Sequence, residues 1–400
     1  MMFSGLIVVC EAQEPVPEAS VAERIAGRSF PSVFQAWNPA DNLKAECEAA
    51  TAARHDLIFH GAGFFGLEWD HKHQGLATGF TPESVERGHA RRRDLLERNP
   101  NLVLLMEIRY RDAWGPEVPQ HFVEQYPDHL LESYRGFLPK DHPWWRRDAE
   151  ENFVKGWEEG GFLQMDFSNP EYREQVALQC GAAVKSGVVD GVMLDWWEED
   201  ADRVALVTAI RKRIGEDALI LVNANDRKIP QSAPFVNGLF MECYQSQTAG
   251  QWQQVAETLA WAEKNLRTPR INCLETWWHD SRADEHLMRA TTTLSLVLSD
   301  GYSLFADPNP LPTPDHLHDW YPFWDRRLGK ALSRSTMRPD GAMARDFSSG
   351  TAVYNPMGNQ PATITFDEPR TSRATGKHAH IHTVAPCDGD LFLKDHPAQP

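Results

Sequence analysis

The sequence predicts an α/β protein: a (β/α)8 TIM barrel followed by a small antiparallel C-terminal β-domain. Three observations carry this reading. From about residue 30 to residue 330, short runs that are apolar throughout alternate with amphipathic stretches, and eight such units fill the length of a typical barrel. No GxGxxG opens any of the amphipathic stretches, which disfavours a doubly wound sheet. After Arg334 the pattern changes to short alternating runs separated by Gly, Pro and Asn turns.

Residues 1–29 read as an N-terminal extension. Met1–Cys10 has the apolar run of a signal remnant but no basic residue before it. It fits a truncated export signal or an ordinary strand, and a secreted or periplasmic location is the favoured reading. The barrel is expected over 30–332. Its candidate strands are Ser32–Ala36, Leu57–His60, Leu102–Ile108, Gly191–Asp195, Leu219–Asn223, Gly238–Glu242, Arg270–Glu275 and Tyr302–Ala306. Runs without polar alternation suit strands covered by helices on both faces. Helical periodicity marks Arg87–Arg98, Pro170–Lys185, Asp202–Ile214, Gln251–Asn265 and Asp284–Leu298. The stretch at about 114–161, rich in Pro, Trp and Asp, is too long for a plain loop and reads as an excursion above the barrel. The β-domain, 333–400, has candidate strands at Ala352–Tyr354, Ala362–Phe366, His378–His382 and Asp390–Leu393.

Composition excludes several classes of function. With 40 basic against 57 acidic side chains, the net charge of −17 lacks the basic footprint that nucleic acid demands. No run of about 20 apolar residues offers a membrane span. A chain 42% hydrophobic with 14 Trp has ample material for a large core. Six scattered cysteines without a CxxC pair argue against a zinc ribbon or a dense disulfide scaffold.

Chemistry in such a barrel sits at the C-terminal ends of the strands, and there the sequence is rich in carboxyl and amide groups. The third strand ends at Glu107 and Arg109, the fourth at Asp195-Trp196-Trp197, and the fifth at Asn223 and Asn225. The sixth ends at Glu242 and Tyr244, the seventh at Glu275 before Trp277-Trp278, and the eighth at Asp307. One such carboxylate alone reads as a cap on the next helix; their recurrence points to a site. Glycoside cleavage needs two carboxyl groups in different roles, together with flat apolar faces for sugar rings. Trp37, Trp69, Trp114, Trp196, Trp197, Trp277 and Trp278 fall at or just beyond strand ends. Consecutive tryptophans cannot both point inward from a regular strand, so one of each pair is expected to face a cleft or loop.

Other signals weigh less. His71 and His73 have the spacing of a metal-binding pair but lie in a polar stretch. Together with His60 and Asp307 they define one alternative, a metal-dependent amidohydrolase. A catalytically inactive glycan-binding barrel is the other. His378, His380 and His382 read as a solvent-facing row, Arg91–Arg93 as a solvated helix face, and Cys243 as core. No metal or other cofactor is expected.

Three stretches resemble a known group: Met165-Asp-Phe-Ser-Asn-Pro-Glu171, Val189-Asp-Gly-Val-Met-Leu-Asp195, and the strand ending at Glu242. They are similar to the α-galactosidase-like superfamily of barrel glycoside hydrolases, among them its hypothetical glycoside hydrolase families, with endo-α-1,4-polygalactosaminidase a more distant relative. Gly350–Pro356 and Val384–Gly389 resemble the β-domain that follows such barrels. The likeness covers 30–395 and is strongest over 160–310. It implies a retaining double displacement on an O-glycosidic bond, with Asp195 as nucleophile and Glu242 as general acid/base. It also implies sugar-hydroxyl or supporting contacts from Asp166, Asn223, Asn225 and Glu275. Trp37, His60, Glu107, Arg109, Trp196, Tyr244, Trp277 and Asp307 complete the expected substrate-binding set. Some relatives carry a second Asp after the fourth strand, where this chain has Trp196. The expected partner is an oligo- or polysaccharide, α-linked by analogy, and the negative charge favours a neutral or cationic one over a polyanion.

Overall fold

The computed structural model describes residues 18–43, 45–115, 138–157, 161–243, 246–277, 282–306, 316–325 and 327–395. Met1–Cys10, with its signal-or-strand question, lies outside them. Eight parallel strands form the barrel: β1 (Phe34–Ala36), β2 (Leu57–His60), β3 (Val103–Glu107), β6 (Gly191–Leu194), β7 (Leu219–Asn223), β8 (Gly238–Cys243), β9 (Cys273–Trp277) and β10 (Tyr302–Ala306). They neighbour one another in that order, and a parallel bridge between Val33 and Ser303 brings the last strand beside the first. Between β3 and β6 the chain leaves the barrel for the excursion, whose described part includes an antiparallel pair, β4 (Asp112–Trp114) and β5 (Phe162–Gln164).

The helices that cover the barrel start where the sequence supplies caps. Asn169 caps α4 (Pro170–Lys185) ahead of its proline, Asp200 caps α5 (Ala201–Ile214), and Thr248 with Gln251 forms a capping box on α6 (Ala249–Asn265). The earlier helices are α1 (Val21–Gly27), α2 (Glu48–Ala52) and α3 (Pro82–Arg98). Helix α3 starts at Pro82, five residues before the apolar period becomes readable, because its polar first turn gives no periodic signal. The seventh barrel strand is Cys273–Trp277 rather than Arg270–Glu275: Asn272, just ahead of it, uses its side chain to bind Leu239 N–H and Glu263.

The lower end of the barrel is tied by charge. Asp190, just before β6, accepts hydrogen bonds from Arg24 of α1, from Arg92 of α3 at 2.7 Å and from the Leu104 amide at 2.8 Å. Arg92 also reaches the Val188 carbonyl and Glu18. The expectation of a solvated face at Arg91–Arg93 is therefore corrected for Arg91 and Arg92, while Arg93 is exposed. Arg92 is buried, and Arg91 pairs with Glu48 and lies 5.0 Å from the Phe64 ring centre, because this side of α3 packs toward the sheet.

The C-terminal sheet comprises β11 (Thr336–Met337), β12 (Met343–Phe347), β13 (Gly350–Asn355), β14 (Ala362–Ser372), β15 (His378–Val384) and β16 (Asp388–Leu393), antiparallel throughout and ordered β11-β12-β13-β16-β14-β15 across the sheet. It covers the outer side of the last barrel helix, α7 (Glu285–Leu298). Every residue of α7 from Leu287 to Val297 is buried, since it has the barrel on one side and the sheet on the other. Phe347, Ala352, Tyr354 and Leu391 join the barrel's apolar core. Arg289 grips Asp388 through two 2.9 Å bonds. The histidine row is split: His382 is buried against Phe366 and Phe392, whereas His378 and His380 remain exposed. Among the described residues no helix is long and apolar enough to cross a membrane.

The contact between sheet and helix leaves no room at Gly389, where a Cβ would stand 1.8 Å from Thr293 Oγ1. We predict that Gly389→Ala costs about 1–3 kcal/mol, the usual penalty for overpacking a closed interface. Denaturant unfolding checks this; a variant as stable as the parent would mean that the interface is loose.

Candidate active site

The carboxyl groups foreseen at the strand ends meet above β6, β7, β8 and β9. Asn223, the last residue of β7, points its amide into the barrel mouth. Its Nδ2 donates to Asp195 Oδ1 at 2.8 Å and to Glu242 Oε2 at 2.6 Å. Those two oxygens can therefore be at most about 5.4 Å apart, the two bonds laid end to end. Asn225 supports the same strand: its Nδ2 donates to the Glu242 carbonyl at 2.9 Å, and Arg227 holds its side-chain oxygen. Glu242 on β8 is the direct register partner of Glu275 on β9. Glu275 has no exposed surface, and both of its oxygens lie beside His316 Nδ1, at 2.8 and 3.0 Å.

The neighbouring wall starts at β1. Trp37 donates from Nε1 to Glu107 Oε2 at 2.7 Å and sets its ring 5.0 Å from that of His316. Glu107 pairs with Arg109 at 3.3 Å, and Arg109 reaches Asp112 at 3.1 Å while lying over the Phe162 ring. The excursion's hairpin is thereby fastened to the site. Asp195, Trp196, Glu107, Arg109, Arg111 and Asp112 line a small hollow here. The Trp pair divides, not by strand pleating but beyond the end of β6, where Trp196 has a left-handed backbone. Trp197 is fully buried and donates to Ser232, whereas Trp196 is 46% exposed with the Arg111 guanidinium 4.4 Å from its ring centre. The Trp196 carbonyl accepts from Tyr110, whose hydroxyl in turn accepts from Arg203.

Burial and then the charge of Glu107 push the Asp195 carboxyl up to about 6, against the Asn223 hydrogen bond and Arg109, which lower it. Four residues of this rim, Trp37, Trp196, Asn225 and His316, hold left-handed backbone with φ between 48° and 57°. For residues other than glycine this is uncommon, and it persists where the surroundings force it.

Not every expected residue comes here. His60 turns to the helix side, stacked on Phe64 at 4.7 Å, and burial pushes it down to about 4. The cause is strand parity: Phe59 takes the inward position, against Phe34, Phe240 and Trp37. Asp166 accepts from the Ser168 amide at 3.2 Å, in a local turn ahead of α4. Trp69 stacks on Phe80, and Trp114 lies at a tilt against Phe162, both as packing. Tyr244, Asp307, Trp278 and the side chain of Trp277 lie outside the described residues. His71 accepts from the His73 amide within an exposed loop, and among the described residues no three potential ligands gather around a metal position. His316 is the residue that sequence reading passed over. Its one signal is chemical: a carboxyl as deep as Glu275 demands a donor from elsewhere in the chain.

No protein-family model matches the sequence, and no curated protein matches it either. Solved structures do match in fold. An α-amylase from Malbranchea cinnamomea is 10% identical with a TM-score of 0.53, over 94% of this chain and 97% of that one. A maltogenic α-amylase from Thermotoga neapolitana is 10% identical with a TM-score of 0.50, over 91% and 99%. A cyclic α-maltosyl-(1→6)-maltose hydrolase from Arthrobacter globiformis, in complex with maltose, is 11% identical with a TM-score of 0.50, over 92% and 99%. These neighbours are glycoside hydrolases. At such identities the likeness shows the fold: a TIM barrel followed by a β-domain.

The raised Asp195 carboxyl sets a stability prediction. Its folded-state value of about 6 lies above the ordinary 3.8, so ionisation favours the unfolded chain. The cost is absent below about pH 4, grows through the window from about 4 to 6 and is complete above it. Asp195→Asn keeps an acceptor oxygen for Asn223 and carries no charge. It should be more stable than the parent at pH 8, by up to about 3 kcal/mol, and close to it at pH 4. Thermal melts at the two pH values check this, and a variant that loses stability at pH 8 would contradict it.

Proposed function

We propose that this chain is a glycoside hydrolase that cleaves an α-linked, neutral or cationic glycan with retention of configuration, using Asp195 and Glu242 as its catalytic pair. One observation carries the reading: a single amide nitrogen, Asn223 Nδ2, holds an oxygen of each carboxyl at 2.8 and 2.6 Å. Retaining enzymes space their carboxyls by about 5–5.5 Å and inverting ones by about 6.5–9.5 Å, to admit a water. The limit set by Asn223 falls with the first group.

The steps follow from that spacing. Asp195 attacks the anomeric carbon while Glu242 gives its proton to the departing oxygen, leaving a covalent glycosyl-enzyme. Glu242, now ionised, takes a proton from water as that water displaces Asp195, and the enzyme returns to its starting state. Asn223 donates to both carboxyls, so it keeps their lone pairs oriented whichever of them is ionised. Trp196 offers a flat, half-exposed indole of the kind on which pyranose rings stack. Glu107, braced by Trp37 and Arg109, raises the energy of the Asp195 anion and so strengthens it as a nucleophile. The α-linkage rests on the sequence resemblance and on fold-level analogy with the amylase neighbours. The net charge of −17 argues against polyanionic substrates.

The test is a panel of soluble starch, maltooligosaccharides and a partly N-acetylated α-1,4-linked galactosamine polymer. The anomer first released is followed by proton NMR. The α anomer is expected first, with kcat/KM falling as pH drops below about 6, where Asp195 takes up a proton. Asp195→Asn and Glu242→Gln are each expected to lose at least about 10³-fold in kcat. First release of the β anomer would overturn retention, and binding without turnover across the panel would leave only a glycan-binding barrel.

A further inference from the structure

Glu242 and Glu275 are register partners on adjacent parallel strands, so their side chains leave the sheet on the same face and at the same level. Glu275 is wholly buried, and a buried carboxylate is costly unless a donor or a positive charge meets it. His316 meets it. The ring is 1% exposed, with Nδ1 at 2.8 and 3.0 Å from the two Glu275 oxygens and Nε2 at 3.9 Å from Glu242 Oε1. Trp37 lies along the ring, and Phe240 packs at 5.7 Å. The backbone of His316 is held left-handed at φ 57°. Two residues on, His318 bridges to Ala40 and its Nε2 meets His55 Nε2 at 2.9 Å, which fixes the segment that carries the imidazole. Away from solvent, the imidazole has one carboxyl in hydrogen-bond reach of Nδ1 and a second at ion-pair distance from Nε2, so a carboxyl faces each of its nitrogens.

We infer that His316, gripped by Glu275 and facing Glu242 with its other nitrogen, is a positioning residue that stabilises Glu242 in its ionised form during cleavage. The inference rests on the reading of Glu242 as general acid/base given above. When Glu242 yields its proton to the departing oxygen, a second negative charge appears one strand from Glu275. The Nε2–H of His316 faces that charge, so the proton is released more readily than it would be beside Glu275 alone. No proton or bond passes to His316 itself. Among the described residues, the other titratable or charged groups around it are Asp195 across Asn223, Glu107 beyond Trp37, and His318, whose Nδ1 is 3.2 Å from the His316 carbonyl. Asp41 and Arg282 act from beyond His318.

The dependence on the leaving group tests this. The sugar released in the panel is presented as its oligosaccharide and as its α-glycosyl fluoride, whose fluoride departs without a proton. In His316→Gln, kcat/KM on the oligosaccharide should fall about 10²-fold or more, and on the fluoride by no more than a few-fold. The alkaline limb on the oligosaccharide should move to higher pH. Glu275→Gln should reproduce the split, and Glu242→Gln serves as the reference that shows it most strongly. Equal losses on both substrates in His316→Gln, with the reference split intact, would overturn the inference and leave the proposed reaction standing. Absence of the split in Glu242→Gln would instead remove the acid/base assignment itself. Nitrogen-15 histidine spectra of the unaltered protein read the same arrangement without turnover or substitution. Protons on both ring nitrogens of His316 at pH 7 are expected, and a bare Nε2 would overturn the inference.

Discussion

Parallel strands held in register put the side chains of neighbours on one level, and in this barrel the level at the mouth is crowded with carboxyl groups. Glu242 and Glu275 stand side by side by register alone, and Asp195 and Glu107 close the same ring from the other side. Like charges in so little water raise one another's energy, and the nearby polar groups answer that problem. Asn223 spends one amide on two acids, His316 supplies a ring nitrogen to Glu275, and Trp37 and Arg109 both meet Glu107. Neither burial nor repulsion is fully relieved: burial first, and the charge of Glu107 second, leave Asp195 with a raised affinity for a proton.

Much of this was readable in the chain because barrel strands announce themselves. Each apolar run became a strand with ends within a few residues of expectation, and a residue at the end of such a run is delivered to the mouth by geometry. That is why Asp195, Asn223, Glu242 and Glu275 were found together. Parity was the weak point. Phe59 and His60 look equally like the end of a strand, and only the pleat decides that the phenyl ring goes inward and the imidazole outward. Asp166 sits in a stretch that resembles a family motif, yet its carboxyl serves a local turn.

Pairings across long separations were not legible. Arg92 looked like one of three exposed arginines until Asp190, almost a hundred residues on, proved to be its partner. His316 comes from a segment with no periodic pattern and meets Glu275 from 41 residues away. Sequence periodicity reports which face of an element is apolar. It is silent on which polar group will be buried with which.

The four left-handed residues around the mouth bear on how such a protein could change. Glycine at Trp37, Trp196, Asn225 or His316 would relax the backbone, but each position would then lose the ring or amide that builds the rim. Selection for robustness alone would therefore pull against selection for chemistry at these points. A lineage drifting toward greater hardiness would be expected to blunt its own mouth first, while the lower end, tied through Asp190, has no such conflict to resolve.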